Sequence, residues 1–279
     1  MGPTSFDVVR QVRHALKVAK AGHTGTLDPL ATGVLPVCLG DATKIAQFIT
    51  EKDKSYDAVV KLGEETDTLD AQGKVTERKP VPPLTAALLE GVLAKFRGPQ
   101  LQTPPMYSAV KVGGKRLYEL ARAGEEIERA ARPVTVHTLT LVDFSADELQ
   151  LHVACSKGYF VRSLALDVGR ALGCGGHLKA LRRTRSGVFS ISQAVPLKMV
   201  IEQGVLPAQL MTMEAALCEL PELKLTAVET RQVQHGGLVE VALPDGGPHR
   251  LVGPDSTLLA IADVLHGRLK YRRVLNPAT

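Results

Sequence analysis

The sequence predicts an α+β fold: a mixed, largely antiparallel sheet flanked by helices, followed by a small β-rich C-terminal domain. Three observations carry this. Helical and strand-like segments are interspersed through the first two thirds of the chain. Residues 134–144 and 149–155 read as paired strands joined at Ser145-Ala146-Asp147. After Gln193 the texture changes, first to a helical connector and then to short strands between turn signals.

The elements follow in order. Thr4 or Ser5 caps a helix to about residue 18, with Phe6, Val8, Val9, Val12, Ala15 and Leu16 at helical spacing. Residues 21–33 form a Gly/Thr/Pro-rich loop. Residues 34–39 read as a strand that Pro36 confines to an edge or an end. Asp41 is placed to cap a second helix over 42–51. Over 54–62, Tyr56, Ala58 and Val60 alternate with Asp57, Val59 and Lys61, a strand pattern. Residues 66–80 are polar and turn-rich. Pro82-Pro83 leads into a helix over 84–96 closed by Gly98.

Thr103-Pro104-Pro105 is a rigid loop, 107–112 a strand, Gly113-Gly114 a tight turn, and 116–122 a short helix stopped by Gly124. Residues 160–172 form a helix with Val161, Leu164, Ala165, Val168, Ala171 and Leu172 on its apolar face. Residues 178–191 are basic and strand-like in their second half. Turn signals at Gly236-Gly237, Asp245-Gly246-Gly247 and Gly253-Pro254 punctuate the last segment. The expected division is a domain over 1–220, with 195–220 as connector, and a second over 221–279.

Composition narrows the function. Hydrophobic residues make up 44% of the 279, enough for a real core, but aromatics are only 4% and Trp is absent. The core must therefore rest on Leu, Val, Ile and Ala. The net charge of +5 favours a polyanionic partner. Cys38, Cys155, Cys174 and Cys218 are isolated, with no C-x-x-C and no zinc spacing, so no metal is expected. Isolated cysteines suit a reducing compartment. There is no apolar leader at Met1-Gly2-Pro3-Thr4-Ser5 and no apolar run of bilayer-spanning length. The expectation is a cytoplasmic protein with no membrane association.

The segment richest in chemical options is the loop around Asp28. Asp-Pro alone is a common turn pair, because Asp caps its own backbone and Pro presets φ. Around it, Gly22, Gly25 and Gly33 permit close approach to a ligand, and Thr24, Thr26 and Thr32 supply hydroxyls. The G-K-[ST] ending of a phosphate-binding loop is missing. On residues alone, Arg162 reads as a surface helix arginine, Tyr56 as a cross-strand packing residue and Leu181 as a core leucine.

The fifteen residues Ala-Gly-His-Thr-Gly-Thr-Leu-Asp-Pro-Leu-Ala-Thr-Gly-Val-Leu, from Ala21 to Leu35, resemble the signature of the TruB family of tRNA pseudouridine synthases. The likeness continues through Leu39-Gly40-Asp41-Ala42-Thr43-Lys44, Asp53-Lys54-Ser55-Tyr56 and Gly63-Glu64-Glu65-Thr66-Asp67-Thr68. It extends to Pro105-Met106-Tyr107-Ser108-Ala109-Val110-Lys111 and Cys155-Ser156-Lys157-Gly158-Tyr159-Phe160-Val161-Arg162. The resemblance spans nearly all of residues 2–190, and the C-terminal part resembles a PUA-type RNA-binding domain.

The resemblance implies a pseudouridine synthase fold and a set of roles. The family's nucleophilic aspartate falls on Asp28, the tyrosine that stacks on the target base on Tyr56, and the arginine that pairs with the carboxylate on Arg162. An apolar residue flooring the pocket falls on Leu181, an aromatic wall on Phe160, and the histidine that enters the opened T-loop on His23. Basic residues that would hold phosphates are Lys179, Arg182, Arg183 and Arg185, and separately Lys111, Lys115, Arg116 and Arg122.

The implied reaction is isomerisation of uridine 55 in the T-loop of tRNA, with the base flipped out of its stack. It needs no cofactor and no metal, and the partner is the tRNA T-arm. The chain would act as a monomer without a protein partner. The family pattern places a strand and a Lys-Pro ahead of the Gly-x-Thr-Ser matched here at Gly2 to Ser5, and this chain begins at Met1. A second reading follows: a tRNA-binding and tRNA-folding protein whose catalysis is secondary. A third, a guide-RNA-dependent synthase, would carry terminal extensions and partner proteins.

Overall fold

The structure, a computed structural model, describes residues 2–275. It divides into two compact units. The first gathers residues 2–4, 27–35 and 52–194, and the second gathers 5–26, 36–51 and 195–275. The connector 195–220 therefore falls in the second unit, where its helix Leu197–Gln203 packs against the helix Ser5–Ala15. Residues 276–279 of the expected C-terminal domain lie outside the described residues.

The first unit is built on a seven-stranded sheet. Its strands are β1 (Ala31–Gly33), β2 (Lys54–Leu62), β3 (Gly98–Gln102), β4 (Arg132–Phe144), β5 (Glu148–Cys155), β6 (Gly176–Ser186) and β7 (Phe189–Ser190). The order is β7-β6-β2-β5-β4-β3, antiparallel throughout, while β1 lies parallel to β6. This is the mixed, largely antiparallel sheet that the sequence predicts.

Alternation along the strands sets the core. Ala58, Val60 and Leu62 of β2 and Leu149, Leu151, Val153 and Cys155 of β5 are buried on one face. Asp57 and Gln150 point to the other face and are exposed. Helices α1 (Ala86–Leu93), α2 (Leu117–Arg122) and α3 (Val161–Ala171) accompany the sheet. The buried stripe Val161, Leu164, Ala165 and Val168 seats α3 on β6. At Gly169 the chain just before β6 comes so close that an added Cβ would lie 2.2 Å from the Gly175 carbonyl carbon.

The free edge of β6 carries three attachments in succession. Leu178 donates to the Leu69 carbonyl at 3.0 Å and accepts from Ala71 at 2.9 Å. Leu181, Arg182 and Arg183 pair with Ala31, Thr32 and Gly33 of β1, and Arg185 and Ser186 with β7.

Several elements differ from their sequence expectations. β3 was not expected, because Gly-Pro-Gln-Leu-Gln has no apolar alternation; it is an edge strand on β4, where Pro99 is tolerated. The basic stretch 178–191 is strand in its first half as well, because Leu178 and Leu181 anchor it in the core, and in its second half Arg185 and Ser186 pair with Phe189–Ser190. Of the strand expected over 107–112, only Lys111–Val112 pairs, in a two-residue ladder with Lys115–Arg116.

In the second unit, Ala21–His23, within the segment expected to be loop, pairs antiparallel with Val37–Leu39, the end of the strand expected over 34–39. The helix Ser5–Ala15 buries Val9 and Val12 but leaves Phe6 71% exposed, so its apolar stripe is narrower than the pattern implied. Asp41 does not cap a helix: residues Gly40–Ile45 form a 3-10 turn without a side-chain cap, and Asp41 pairs with Lys44 at 3.2 Å.

At the C-terminus, β8 (Glu222–Lys224), β9 (Gly246–Val252), β10 (Leu258–Leu265) and β11 (Arg268–Val274) form a sheet in that order. The helix α4 (Ala227–Gln234), opened by a Thr226–Glu229 capping box, contributes only Val233 to the core beneath it. That single apolar contact is why periodicity did not reveal it. Among the described residues no helix is long and apolar enough to cross a membrane.

The Gly169 contact yields a test. Gly169→Ala sets a methyl against backbone that cannot step aside, so we expect a loss of about 2–3 kcal/mol in stability, read from urea unfolding.

Candidate active site

Three segments distant in sequence meet at one guanidinium. Arg162 is the second residue of α3 and is 4% exposed. Its Nη1 donates to the Thr68 carbonyl at 3.0 Å and its Nη2 to the Tyr107 carbonyl at 2.7 Å. Its Nε lies 2.9 Å from Asp28 Oδ2, off the line needed for a hydrogen bond, while Nη2 reaches Oδ1 at 3.4 Å. A second carboxylate, Asp70, stands 3.8 Å from Nη1.

The Asp28 loop is also the turn that its Asp-Pro pair suggests. Ala31 N donates to the Asp28 carbonyl at 2.8 Å, which closes the chain over Pro29-Leu30 and delivers it into β1. The carboxylate itself stays one-third exposed, at 34%, although its arginine partner is buried. One side is therefore fixed by charge and the other is open to a substrate. Asp70 is held differently: it is buried, and its Oδ1 accepts from Thr68 Oγ1 at 2.7 Å and from Gln72 N at 3.0 Å.

Tyr56 sits on the buried face of β2, packed on the same core as Leu181. Burial pushes its hydroxyl up to about 12, partly opposed by the nearby Arg183 guanidinium. Leu181 pairs with Ala58 on one side and Ala31 on the other, which sets it between Tyr56's strand and the Asp28 loop. Lys54 lies two residues from Tyr56 on the same strand face and is buried. Desolvation first, and Arg183 second, hold its ammonium down at about 8.

Phe160 is half-buried at the N-terminal end of α3. The buried Gln102 side chain clasps its backbone, accepting from Phe160 N at 2.8 Å and donating to Phe160 O at 3.1 Å. That clasp fixes the entry to α3 and hence the position of Arg162.

The structure thus brings together Asp28 and Arg162, with Tyr56 and Leu181 on the adjoining core and Phe160 two residues before Arg162, within the first unit. Lys111 is exposed on the Lys111–Val112 hairpin, whose turn is formed by Gly113 and Gly114. His23 belongs to the second unit, where its Nδ1 accepts from Gly25 N at 3.3 Å.

One expectation needs correction. Arg183 is 1% exposed and its Nε donates to the Val34 carbonyl at 2.8 Å, so it does not offer its guanidinium to a phosphate at the surface. Arg182, next in the strand, points to the opposite face beside Asp57 and is exposed. Strand alternation thus leaves Arg182 at the surface and sends Arg183 inside.

Sequence reasoning missed Thr68, Asp70, Tyr107 and Gln102. The first three act through loop positions, and only the nearby motif residues Gly63–Thr68 and Pro105–Lys111 hinted at them. Gln102 carried no signal.

The chain is similar to known proteins over most of its length. The profile described as TruB family pseudouridylate synthase (N terminal domain) matches residues 13–161. That of the tRNA pseudouridylate synthase B C-terminal domain matches residues 162–218. A tRNA pseudouridine synthase B of Aeromonas salmonicida (strain A449) is 43% identical over 289 residues, covering 98% of this chain and 90% of that protein. One from Aromatoleum aromaticum is 47% identical over 257 residues, covering 90% and 82%. Among solved structures, a Cbf5-Nop10-Gar1 complex gives a TM-score of 0.77 at 25% identity, covering 98% of this chain and 82% of that one. An H/ACA RNP bound to a substrate RNA containing 2'-deoxyuridine gives 0.76 at 23%, a likeness of fold.

Fold and relatives together define a pseudouridine synthase, an isomerase. Within that class, the chain belongs to the TruB family.

Two measurements check the electrostatics. Arg162→Met strands buried Asp70 and the partly exposed Asp28, so we expect a loss of about 3 kcal/mol, the low end for a broken buried pair. Chemical denaturation reads it. Lys54 has a folded value below its unfolded one, so between about pH 8 and 10.5 the unfolded chain binds the extra proton and this group's contribution to stability rises with pH. The stability difference between wild type and Lys54→Met should shift in favour of wild type across that window and be flat below it.

Proposed function

We propose that this chain isomerises uridine 55 in the T-loop of tRNA to pseudouridine, with Asp28 as the nucleophile or base. The observation that carries the reading is the asymmetric setting of Asp28: one side against a buried arginine, the other open. The relatives named tRNA pseudouridine synthase B support tRNA as the substrate. That substrate puts the reaction in the cytoplasm, with the chain acting alone.

The chemistry breaks the bond between uracil N1 and ribose C1′, turns the detached base, and joins its C5 to C1′. The proton leaves C5, and N1 ends protonated, so atoms balance without oxidation or hydrolysis. An ionised carboxylate beside C1′ and C2′ can serve as nucleophile or base. Arg162 orients it through an ion pair.

The detached uracil must stay in place while it turns. Tyr56 offers a ring for stacking, a contact of roughly 1–3 kcal/mol, and its hydroxyl keeps its proton at neutral pH. Leu181 and Phe160 give the pocket apolar walls that exclude water. Extruding the base from a folded loop costs a few kcal/mol, which contacts to the RNA backbone must offset. Lys111 on its exposed hairpin is one such contact, His23 enters the opened T-loop, and the C-terminal domain adds a PUA-like RNA surface.

Release of tritium from tRNA labelled at uracil C5 tests the assignment. Asp28→Asn should lower the single-turnover rate by roughly ten-thousandfold while tRNA still binds. Normal release by this variant overturns the role of Asp28, and wild-type binding without any product favours an RNA-folding protein instead.

A further inference from the structure

Arg183 is the largest of the fully buried side chains, and the reaction scheme leaves it without a task. It stands in β6 directly across from Tyr56 of β2. On its other side it stands across from Gly33 of β1, two residues after the Asp28 turn closes at Ala31. Its backbone accepts from Val34 N at 2.9 Å, and its side-chain Nε donates back to the Val34 carbonyl at 2.8 Å.

The strands are pressed so close here that a Cβ on Gly33, whose φ is +99°, would lie 2.2 Å from the Arg183 carbonyl oxygen. Across the strand pair the guanidinium also acts on the Tyr56 hydroxyl, and Asp28 is near enough to act on both groups by charge.

We propose that Arg183 is a positioning residue for the isomerisation. It ties the Tyr56 hydroxyl to the backbone of the Asp28 loop, and so fixes the stacking ring relative to the carboxylate. The inference rests on the reading of Asp28 and Tyr56 as the reaction centre. A guanidinium suits the task because its planar fork can serve two acceptors in set directions at once. An ammonium has the charge but lacks that fork.

The test measures single-turnover rate and tRNA affinity separately. Arg183→Met should lower the rate by about a hundredfold, the scale of a misplacement near 1 Å, with affinity within about threefold of wild type. Arg183→Lys should recover only part of the rate. In a Tyr56→Phe background, where the hydroxyl is gone, the loss from Arg183→Met should shrink to about threefold or less.

A wild-type rate in folded Arg183→Met overturns the proposal. So does a loss of equal size in both Tyr56 backgrounds, or a fall in affinity that accounts for the fall in rate. If neither Arg183 variant folds, arginine ¹⁵Nη spectra of the unsubstituted protein decide. A guanidinium signal displaced by Tyr56→Phe supports the contact, and no displaced signal overturns it. Asp28→Asn run in the same assay separates the two readings. An inactive Asp28→Asn beside a fully active Arg183→Met sinks only this inference, whereas an active Asp28→Asn sinks the reaction centre and this inference with it.

Discussion

A buried cation at the start of α3 organises this protein's catalytic unit. Arg162 has lost nearly all contact with water, so its donors must be matched by the protein. The partners come from places the chain could not otherwise bring together: the Asp28 turn, the loop of Thr68 and Asp70, and the carbonyl of Tyr107. None of these is a long regular element with a packing stripe of its own. The ionic requirement of one side chain does the work that apolar burial does in the sheet. It also explains why Gln102 clasps the backbone at Phe160: an arginine that fixes three loops must itself be fixed.

What was legible in the sequence follows from this division. The sheet core was readable because Ala58, Val60, Leu149, Leu151 and Val153 obey the period of two, and α3 because Val161, Leu164, Ala165 and Val168 obey the helical one. The Asp28 loop was readable through its long motif. Elements held by pairing alone were not: β3 and the strand Ala21–His23 lack alternation, and α4 has one buried apolar residue. The Arg162 partners were hidden because two of them are backbone carbonyls, which any residue type supplies. Phe6 misled because apolar identity was taken for burial.

The charge around the site is equally uneven. Arg162, Arg183 and Lys54 are all buried in the first unit, and burial works against the charge of Lys54 and Arg183. Such a concentration of partly desolvated cations is an expensive way to build a core, and suits a site where an anionic carboxylate and a polyanionic ligand both have to be accommodated.

The irregularity in β6 has a reach that its size conceals. Between Leu178 and Ala180 the ladder with β2 skips Lys179, and from there to Arg183 the strand is out of phase with its own beginning, until a second skip at Thr184 restores it. Leu178 and Leu181 both face the core because of that extra residue, and so does Arg183, while Arg182 is sent to the far side. Remove the skip, and Arg182 would enter where Arg183 now stands, with Leu181 turned to solvent. Two adjacent arginines of identical composition would exchange inside and outside. The site is therefore written in the parity of the chain as well as in its residues: the same sequence paired without the skip scrambles the centre, whereas a strand that lacked the skipped residue would keep Arg183 opposite Tyr56.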